Sequence, residues 1–349
     1  MHMSDALLSP AVGGTFWAGT AAAVGWCSRR VGKRIDDRTV PLMGVAAAFV
    51  FAVQMINFSI PGTGSSGHLG GGMILAALLG PHAAFLAMAS VLTVQALFFA
   101  DGGLLALGCN IWNLGVYPCF VAFPFLFRPL ARSGSASRIT LASVASAVGG
   151  LQLGAFSVVL QTLVSGRSEL PFGPFLLMML PIHLAIGLVE GFVTAGVLRY
   201  VGAARPGILG WQEEERTLPS RKRVLLLLGL LALLSAGFLS WFASTDPDGL
   251  EWSISRVAGK AGLGETSGET GEALKHLQEK TAILPDYGFR PKKEPGEETS
   301  SALPPGRSAP DVGTTVSGLV GSGIVLLLTI LIGGTIRRLR KRTSARTPG

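Results

Sequence analysis

Residues 81–100 read PHAAFLAMASVLTVQALFFA, and this run contains no Asp, Glu, Lys or Arg. About twenty apolar residues are the length that an α-helix needs to cross the hydrocarbon core of a bilayer. Similar runs recur along the 349-residue chain, which is 49% hydrophobic, only 14% charged and has a mean hydropathy of +0.49. Backbone N–H and C=O groups in lipid must be satisfied within the spanning segment, so these runs predict an all-α, polytopic membrane helical bundle.

The apolar runs also predict the number of helices. Seven precede the charged middle of the chain and two follow it, at 12–27, 40–60, 69–80, 81–100, 104–127, 139–164, 174–198, 224–243 and 316–336. As one helix, 69–100 would be about 48 Å long, too long for a core of about 30 Å, and Gly80-Pro81 is a natural break. We therefore expect about seven helices followed by two further C-terminal transmembrane helices.

The distribution of charge predicts the topology. Four stretches hold 20 of the 29 Lys and Arg residues, at 28–39, 128–138, 199–223 and 337–346. All four share one side if 69–100 crosses twice, and the positive-inside rule makes that side cytoplasmic. We thus expect a multi-pass protein of a bacterial cytoplasmic (inner) membrane, with its N-terminus outside and its C-terminus in the cytoplasm. The net charge of +8 follows from this topology, so the expected partner is the lipid bilayer and no nucleic acid.

Composition divides the chain into three parts. Residues 1–200 form the predicted membrane domain, and the basic, polar stretch 201–223 forms a cytoplasmic linker. Residues 224–349 form a second domain, whose two helices flank an exterior segment at 244–315. That segment has twelve acidic and eight basic residues, and Thr299 to Pro310 is rich in Ser and Pro, so we expect much of it to be a solvated linker.

The chain begins Met1-His2, a pattern that suits a metal ion. A free Met1 amine, the deprotonated His2 amide and the His2 imidazole form a five-membered chelate ring fused to a six-membered one. This arrangement favours the square-planar or tetragonal geometry of Ni(II) and Cu(II). His68, in an uncharged Gly-rich loop, falls on the same predicted side and can supply a fourth nitrogen. The alternative is a chance His after the start codon and a flexible turn at His68.

Other polar residues have weaker patterns. His183 and Glu190 are seven apart on one helix and so share a face, which suits either a role in metal transit or a packing contact. We expect His82 to be solvated at an inner turn, and we find no partner at ligand spacing for His276. Asp101 either attracts cations or caps a helix. Asn110 and Asn113 are expected to form hydrogen bonds between helices, with contact to the metal ligands as the alternative. Cys27, Cys109 and Cys119 are expected to be small core residues.

Four motifs within 1–200 resemble a known family. They are MHMSDALLSP at 1–10, GTGSSGHLGG at 62–71, QALFFADGG at 95–103 and PIHLAIGLVEG at 181–191. They occur in the order found in the CbiM/NikM family, the substrate-capture (S) components of nickel and cobalt energy-coupling factor (ECF) transporters. The resemblance implies that four nitrogens from Met1, His2 and His68 hold the metal. The stretch 246–252, DPDGLEW, resembles the PDGLE-type segment of the NikN-like partner subunit, which implies that the two subunits are fused here.

The resemblance also implies the function. The chain would capture Ni²⁺ from outside and deliver it across the membrane, docked on a transmembrane coupling (T) subunit and powered by separate ATPase subunits. It would be no enzyme and would need no cofactor, because Ni²⁺ is the cargo. The alternatives are the same role for Co²⁺, or a metal sensor or accessory membrane protein. The sequence contains neither HExxH nor GxxxxGK[ST], which argues against an intramembrane metalloprotease and against a nucleotide site of its own.

Overall fold

The computed structural model describes residues 1–34, 39–204, 221–259, 269–289 and 312–344. Helices make up most of these ranges. They are α1 (Pro10–Arg34), α2 (Thr39–Gln54), α3 (Gly72–Leu79), α4 (Pro81–Phe99), α5 (Leu107–Ala131), α6 (Ala136–Ser165), α7 (Phe172–Ala204), α8 (Arg221–Gly237), α9 (Gly249–Ala258), α10 (Glu269–Thr281) and α11 (Val312–Ser344). The predicted all-α class is therefore confirmed.

Five helices in the described ranges are long and apolar enough to cross a membrane. They are Pro81–Phe99, Leu107–Ala131, Ala136–Ser165, Phe172–Ala203 and Val312–Arg340. The other four predicted spans also fall on helices, α1, α2, α3 and α8, which are shorter or less apolar. The chain is thus a multi-pass membrane protein.

Small residues let the helices approach closely, as is typical of membrane bundles. On α7, a Cβ at Gly187 would lie 2.8 Å from the Val148 Cα of α6. On α2, a Cβ at Gly44 would lie 2.8 Å from the Ile330 side chain of α11. Helix α11 of the second domain therefore packs directly on the first domain.

The second predicted span, 40–60, is too long. Helix α2 ends at Gln54, and an antiparallel hairpin follows, with strands β1 (Phe58–Ile60) and β2 (Ser65–Gly67). Pro61 cannot continue a ladder, and Gly62 and Gly64 have φ of +78° and +74°. These conformations suit glycine and close the turn between the strands.

The predicted break in 69–100 is confirmed. Gly80, with φ of +76°, separates α3 from α4, which starts at Pro81. Helix α3 has only eight residues and is about 12 Å long, so it is shorter than predicted. The chain before it is buried and non-helical, which a membrane protein tolerates where protein groups satisfy the backbone. The Gly70 carbonyl accepts a hydrogen bond from Gln54 Nε2 at 2.8 Å.

Helix α5 contains Pro118 and Pro124, and its hydrogen bonding is of the π type over Trp112–Phe127. Each proline lacks an N–H and crowds the carbonyl of the preceding turn. A wider turn relieves the steric crowding at the carbonyl, so the prolines account for the departure from α-helical geometry.

The described parts of the predicted solvated segment at 244–315, which are 244–259 and 269–289, include helices that contact the first domain, although residues 270–281 are largely exposed as expected. The Ser244 N–H donates to the Asn57 carbonyl at 2.7 Å, and the Ile283 N–H donates to the Phe98 carbonyl at 3.0 Å. Both contacts join this segment to the first domain. The Ser/Pro-rich stretch and most of the predicted linker 201–223 lie outside the described residues.

Candidate metal centre

The first residues of the chain lie inside the bundle. Met1 and Met3 are 5% and 0% exposed. Asn110 of α5 clamps the Met3 main chain, because its Oδ1 accepts the Met3 N–H at 2.8 Å and its Nδ2 donates to the Met3 carbonyl at 3.2 Å. The Gly103 N–H donates to the same carbonyl at 2.9 Å. The position of the N-terminus is therefore fixed by the loop and helix that follow α4.

Of the two asparagines predicted to form hydrogen bonds between helices, Asn113 does so and Asn110 has a different partner. Asn113 and Gln161 exchange hydrogen bonds of 2.9 and 3.0 Å between α5 and α6, which confirms the prediction for Asn113. Asn110 instead bonds the main chain of Met3, in the segment that begins with Met1 and His2.

His68 directly follows the hairpin, which α7 holds in place. A Cβ at Gly67 would lie 2.5 Å from the Ile186 side chain, so only glycine allows this approach. The Gly70 N–H donates to Glu190 Oε2 at 2.7 Å. The loop with His68 is thus anchored on both sides of the histidine.

The imidazoles of His2 and His68 stack on each other. Their ring centroids are 5.1 Å apart and the planes differ by 19°. His2 Nδ1 lies 3.3 Å from Asp101 Oδ1, and the Tyr287 hydroxyl donates to Asp101 Oδ2 at 2.5 Å. His68 Nδ1 lies 3.1 Å from the Leu69 carbonyl, so this nitrogen carries the proton of the neutral ring and Nε2 keeps its lone pair.

The Met1 amine contacts a carboxylate from the second domain. Its nitrogen lies 3.5 Å from Asp248 Oδ2. Asp248 is the N-cap of α9, where Oδ1 accepts the N–H groups of Leu250 at 2.9 Å and Glu251 at 2.8 Å. The two cap bonds fix the carboxylate, as N-cap side chains do, and so direct the other oxygen towards the amine.

Burial and the terminal ammonium keep both imidazoles neutral. Burial, followed by the positive charge of the Met1 ammonium, lowers the pKa of His2 to about 3 and that of His68 to about 4. Burial opposes ionisation of Asp248, but the Met1 ammonium and the Glu251 N–H outweigh it and lower its pKa to about 2. At neutral pH the site therefore offers nitrogen lone pairs beside an ionised carboxylate.

The donor set indicates how a metal can bind here. Among the described residues, no three His, Cys, Asp or Glu side chains form a group that could hold a metal ion. Main-chain nitrogen is the other class of nitrogen donor that this region offers. The Met1 amine and the His2 amide are such nitrogens, and the imidazoles of His2 and His68 lie beside them.

His183 lies close to Met1 and His68, whereas Glu190 contacts the main chain of the loop that follows His68. His183 lines a small cavity together with Met1, His68 and Asp248. Its Nδ1 lies 2.7 Å from the Met179 carbonyl, while its buried Nε2 has no hydrogen-bond partner among the described residues. Glu190 contacts the loop behind His68 through its bond to Gly70, described above.

The other predicted candidates lie away from the site. His82 packs on the rings of Trp26 and Phe120, with centroid distances of 4.7 and 5.7 Å, and is half-buried, so it is only partly solvated. His276 is exposed on α10. The three cysteines are buried and free, which confirms their expected role as core residues.

Sequence reasoning missed two residues of the second domain, Asp248 and Tyr287. Asp248 belongs to the Asp-Pro-Asp-Gly turn that ends in a helix start, and this pattern predicts an N-cap but not its distant partner. Tyr287 stacks on Phe99 with centroids 5.0 Å apart, a contact between positions far apart in the chain.

Residues 2–208 match the family described as "Cobalt uptake substrate-specific transmembrane region", and residues 222–338 match the PDGLE domain. The chain is 34% identical over 333 residues to NikMN of Archaeoglobus fulgidus, covering 94% of this chain and 96% of the relative. It is 31% identical over 284 residues to the "Fused nickel transport protein NikMN" of Rhodobacter capsulatus, covering 78% of this chain and 81% of the relative.

A solved structure shares the fold of part of this chain. It is a crystal structure of a truncated transition metal transporter, 28% identical in sequence, with a TM-score of 0.51. The match covers 58% of this chain and 99% of that one.

Proposed function

Because the chain belongs to the cobalt uptake substrate-specific transmembrane family and carries a PDGLE domain, we propose that it captures Ni²⁺ outside a bacterial cytoplasmic membrane and delivers it inwards. The observation that carries the proposal is the meeting of the Met1 amine, His2 and His68 at one end of the bundle. The amine, the His2 amide and both imidazoles provide the four nitrogens that a square-planar ion takes.

Capture changes the contacts of His2. The fused chelate rings require His2 Nδ1, which lies 3.3 Å from Asp101 Oδ1. Closing the chelate would therefore exchange the Asp101 contact for the ion and release one proton each from the Met1 ammonium and the His2 amide. The proton that Nδ1 directs at Asp101 would move to Nε2, so the ring stays neutral. His68 then completes the plane and holds the N-terminal segment against the bundle.

Contacts at the other end of the bundle support the proposed topology. A Cβ at Gly32 on α1 would lie 3.3 Å from Ile336 on α11, so the basic end of α1 and the basic tail share one end. His2 lies towards the opposite end, because it contacts Asp101 just after the end of α4, whereas His82 at the start of α4 packs on Trp26 near the basic end of α1. This arrangement fits a cytoplasmic basic face and an external metal site.

Inward movement requires energy. We propose that this chain is the S component of an ECF-type importer, which docks on a T subunit and draws on separate ATPase subunits. Residues 1–200 would capture the ion, 201–223 would link the units in the cytoplasm, and 224–349 would act as the fused partner. Co²⁺ is the second candidate cargo, because the family description that matches 2–208 names cobalt.

The first test uses the purified full-length protein with a C-terminal tag, after intact-mass analysis has established a free Met1. Binding of Ni²⁺ and Co²⁺ is measured in parallel for this protein and for a version with two residues added before Met1. We expect about one Ni²⁺ per native chain, in a yellow, diamagnetic square-planar complex, and loss of binding on extension. Equal binding by both versions would show that the terminus is no ligand.

The second test is uptake of Ni²⁺ by cells that carry the whole transporter. We expect His68→Ala to abolish uptake, whereas the matched variant His276→Ala, at an exposed histidine of α10, retains it. A preference for Co²⁺ in both tests would keep the mechanism and change the cargo.

A further inference from the structure

The second domain meets the metal-binding loop through its Asp-Pro-Asp-Gly turn. The Ser66 N–H donates to the Pro247 carbonyl at 2.8 Å, and Ser66 Oγ donates to the Asp246 carbonyl at 2.7 Å. Trp252 Nε1 donates to the Thr63 carbonyl at 3.1 Å. The turn therefore extends the hairpin that leads to His68, and its position relative to that histidine is fixed by main-chain contacts.

Asp248 uses its two carboxylate oxygens differently. Oδ1 caps α9 by accepting two N–H groups, at 2.9 and 2.8 Å. Oδ2 lies 3.5 Å from the Met1 nitrogen, with both side chains largely buried, at 2% and 19% exposure. The N-cap bonds use only Oδ1, so Oδ2 is available for the contact with the Met1 amine.

This contact can persist when the amine binds a metal. A coordinated primary amine retains two N–H groups, which the metal makes stronger hydrogen-bond donors. A Ni²⁺ ion bound to the amine, the deprotonated His2 amide and two neutral imidazoles has a net charge of +1 with its four ligands. Burial of such a charge is unfavourable unless an opposite charge lies nearby, and Asp248 places a carboxylate there.

We propose that Asp248 is a positioning residue for the metal-bound Met1 amine, supplied by the second domain. Its Oδ2 accepts an N–H of the coordinated amine, orients the nitrogen towards the ion and balances the charge of the metal centre. The inference rests on the proposed function, because it presupposes the terminal chelate. It assigns to the fused PDGLE unit a direct contact with the capture site.

The test is the substitution Asp248→Asn in the full-length protein. Asn is as good an N-cap as Asp, so this variant keeps the start of α9 and removes the negative charge. A hydrogen bond to a charged group is strong enough that its loss should weaken Ni²⁺ binding about ten- to a hundredfold. The matched control is Asp246→Asn, in the same turn, whose carboxylate contacts Ser59 and Ser244 rather than the amine.

Absorption spectroscopy at saturating Ni²⁺ separates positioning from direct ligation. Because Asp248 acts through the amine, we expect the d–d bands of Asp248→Asn to coincide with those of the wild type despite the weaker binding. A shifted spectrum would make the carboxylate a ligand and overturn the proposal, as would an affinity equal to that of the Asp246→Asn control. If Asp248→Asn does not fold, Asp248→Ser, another good N-cap, is measured in the same way.

The N-terminally extended protein distinguishes this inference from the proposed function. If extension leaves Ni²⁺ binding intact, the terminal chelate is wrong and the role of Asp248 is refuted with it. If extension abolishes binding and Asp248→Asn binds as the control does, only the inference about Asp248 fails.

Discussion

Replacing Asn110 by Ala tests whether the bundle positions the N-terminus for metal binding. The Asn110 amide makes two hydrogen bonds to the Met3 main chain, of 2.8 and 3.2 Å, where Met3 is fully buried. In Asn110→Ala, the Met3 carbonyl keeps the Gly103 N–H as a partner, at 2.9 Å. The Met3 N–H loses its partner and lies out of reach of solvent.

The expected cost follows from this difference. Leaving one buried donor without a partner costs about 1–3 kcal/mol. A middle value of about 2 kcal/mol corresponds to a change of about thirtyfold in an equilibrium constant. Since the penalty falls on the segment that supplies the Met1 amine and His2, the affinity for Ni²⁺ should fall by up to this factor.

The assay is equilibrium Ni²⁺ binding by the full chain with a free N-terminus, together with hydrogen–deuterium exchange of the N-terminal peptide. We expect weaker binding and faster exchange at Met3 in Asn110→Ala. The control is Thr20→Ala, which removes a buried hydrogen bond of 3.0 Å from α1 to the Gly108 carbonyl and does not touch the N-terminus. Faster exchange with unchanged Ni²⁺ affinity would refute the link between N-terminal position and capture.

Three further predictions concern stability of the metal-free protein, measured as the melting temperature in detergent. Glu190→Ala should destabilise by about 1–3 kcal/mol because it leaves the buried Gly70 N–H unpaired, whereas Glu190→Gln retains an acceptor and most of the stability. Gly72→Ala should lower the melting temperature, because its Cβ would lie 2.6 Å from a carbonyl of α5, and Gly14→Ala, whose Cβ would have no described atom within 4 Å, should not. Stability should fall as the pH drops from 6.5 towards about 4, because burial lowers the pKa of His68 to about 4 from 6.5 and only the unfolded chain takes up the proton in this window. His68→Gln should reduce that slope, and an unchanged slope would contradict the assigned burial effect.

The all-α class could be predicted from the sequence because the length of an apolar run is enough to indicate a membrane-spanning helix. Runs such as 81–100 and 174–198 contain enough apolar residues to define a span whatever surrounds them. The end of α2 could not be predicted in this way, because the hairpin residues Phe58 and Ile60 are apolar and continue the run. Their strand conformation depends on pairing with 65–67 and on the turn at Gly62 and Gly64.

The candidate ligands could be identified because their chemistry is local. Met1 and His2 are adjacent in the chain, and the predicted topology placed His68 on the same side. The position of Asp248 depends instead on contacts between the turn of the second domain and the hairpin, which no local pattern encodes. An N-cap signal specifies the bonds within α9 and leaves the second carboxylate oxygen unassigned.

The second domain supports the C-terminal end of α4, next to the candidate site, as well as the hairpin. The last carbonyls of a helix have no partner within the helix. Here Gln278 Nε2 donates to the Ala96 carbonyl at 2.9 Å, and the main chain at Ile283 donates to the Phe98 carbonyl at 3.0 Å. Asp101 follows this helix end and accepts a hydrogen bond from the Tyr287 hydroxyl. Since α10 and the residues after it satisfy the end of α4 and hold Asp101, while Asp248 holds the Met1 amine, the second domain supports the candidate site from two directions. Separation of the two domains should therefore disturb the metal site before it disturbs the helical bundle.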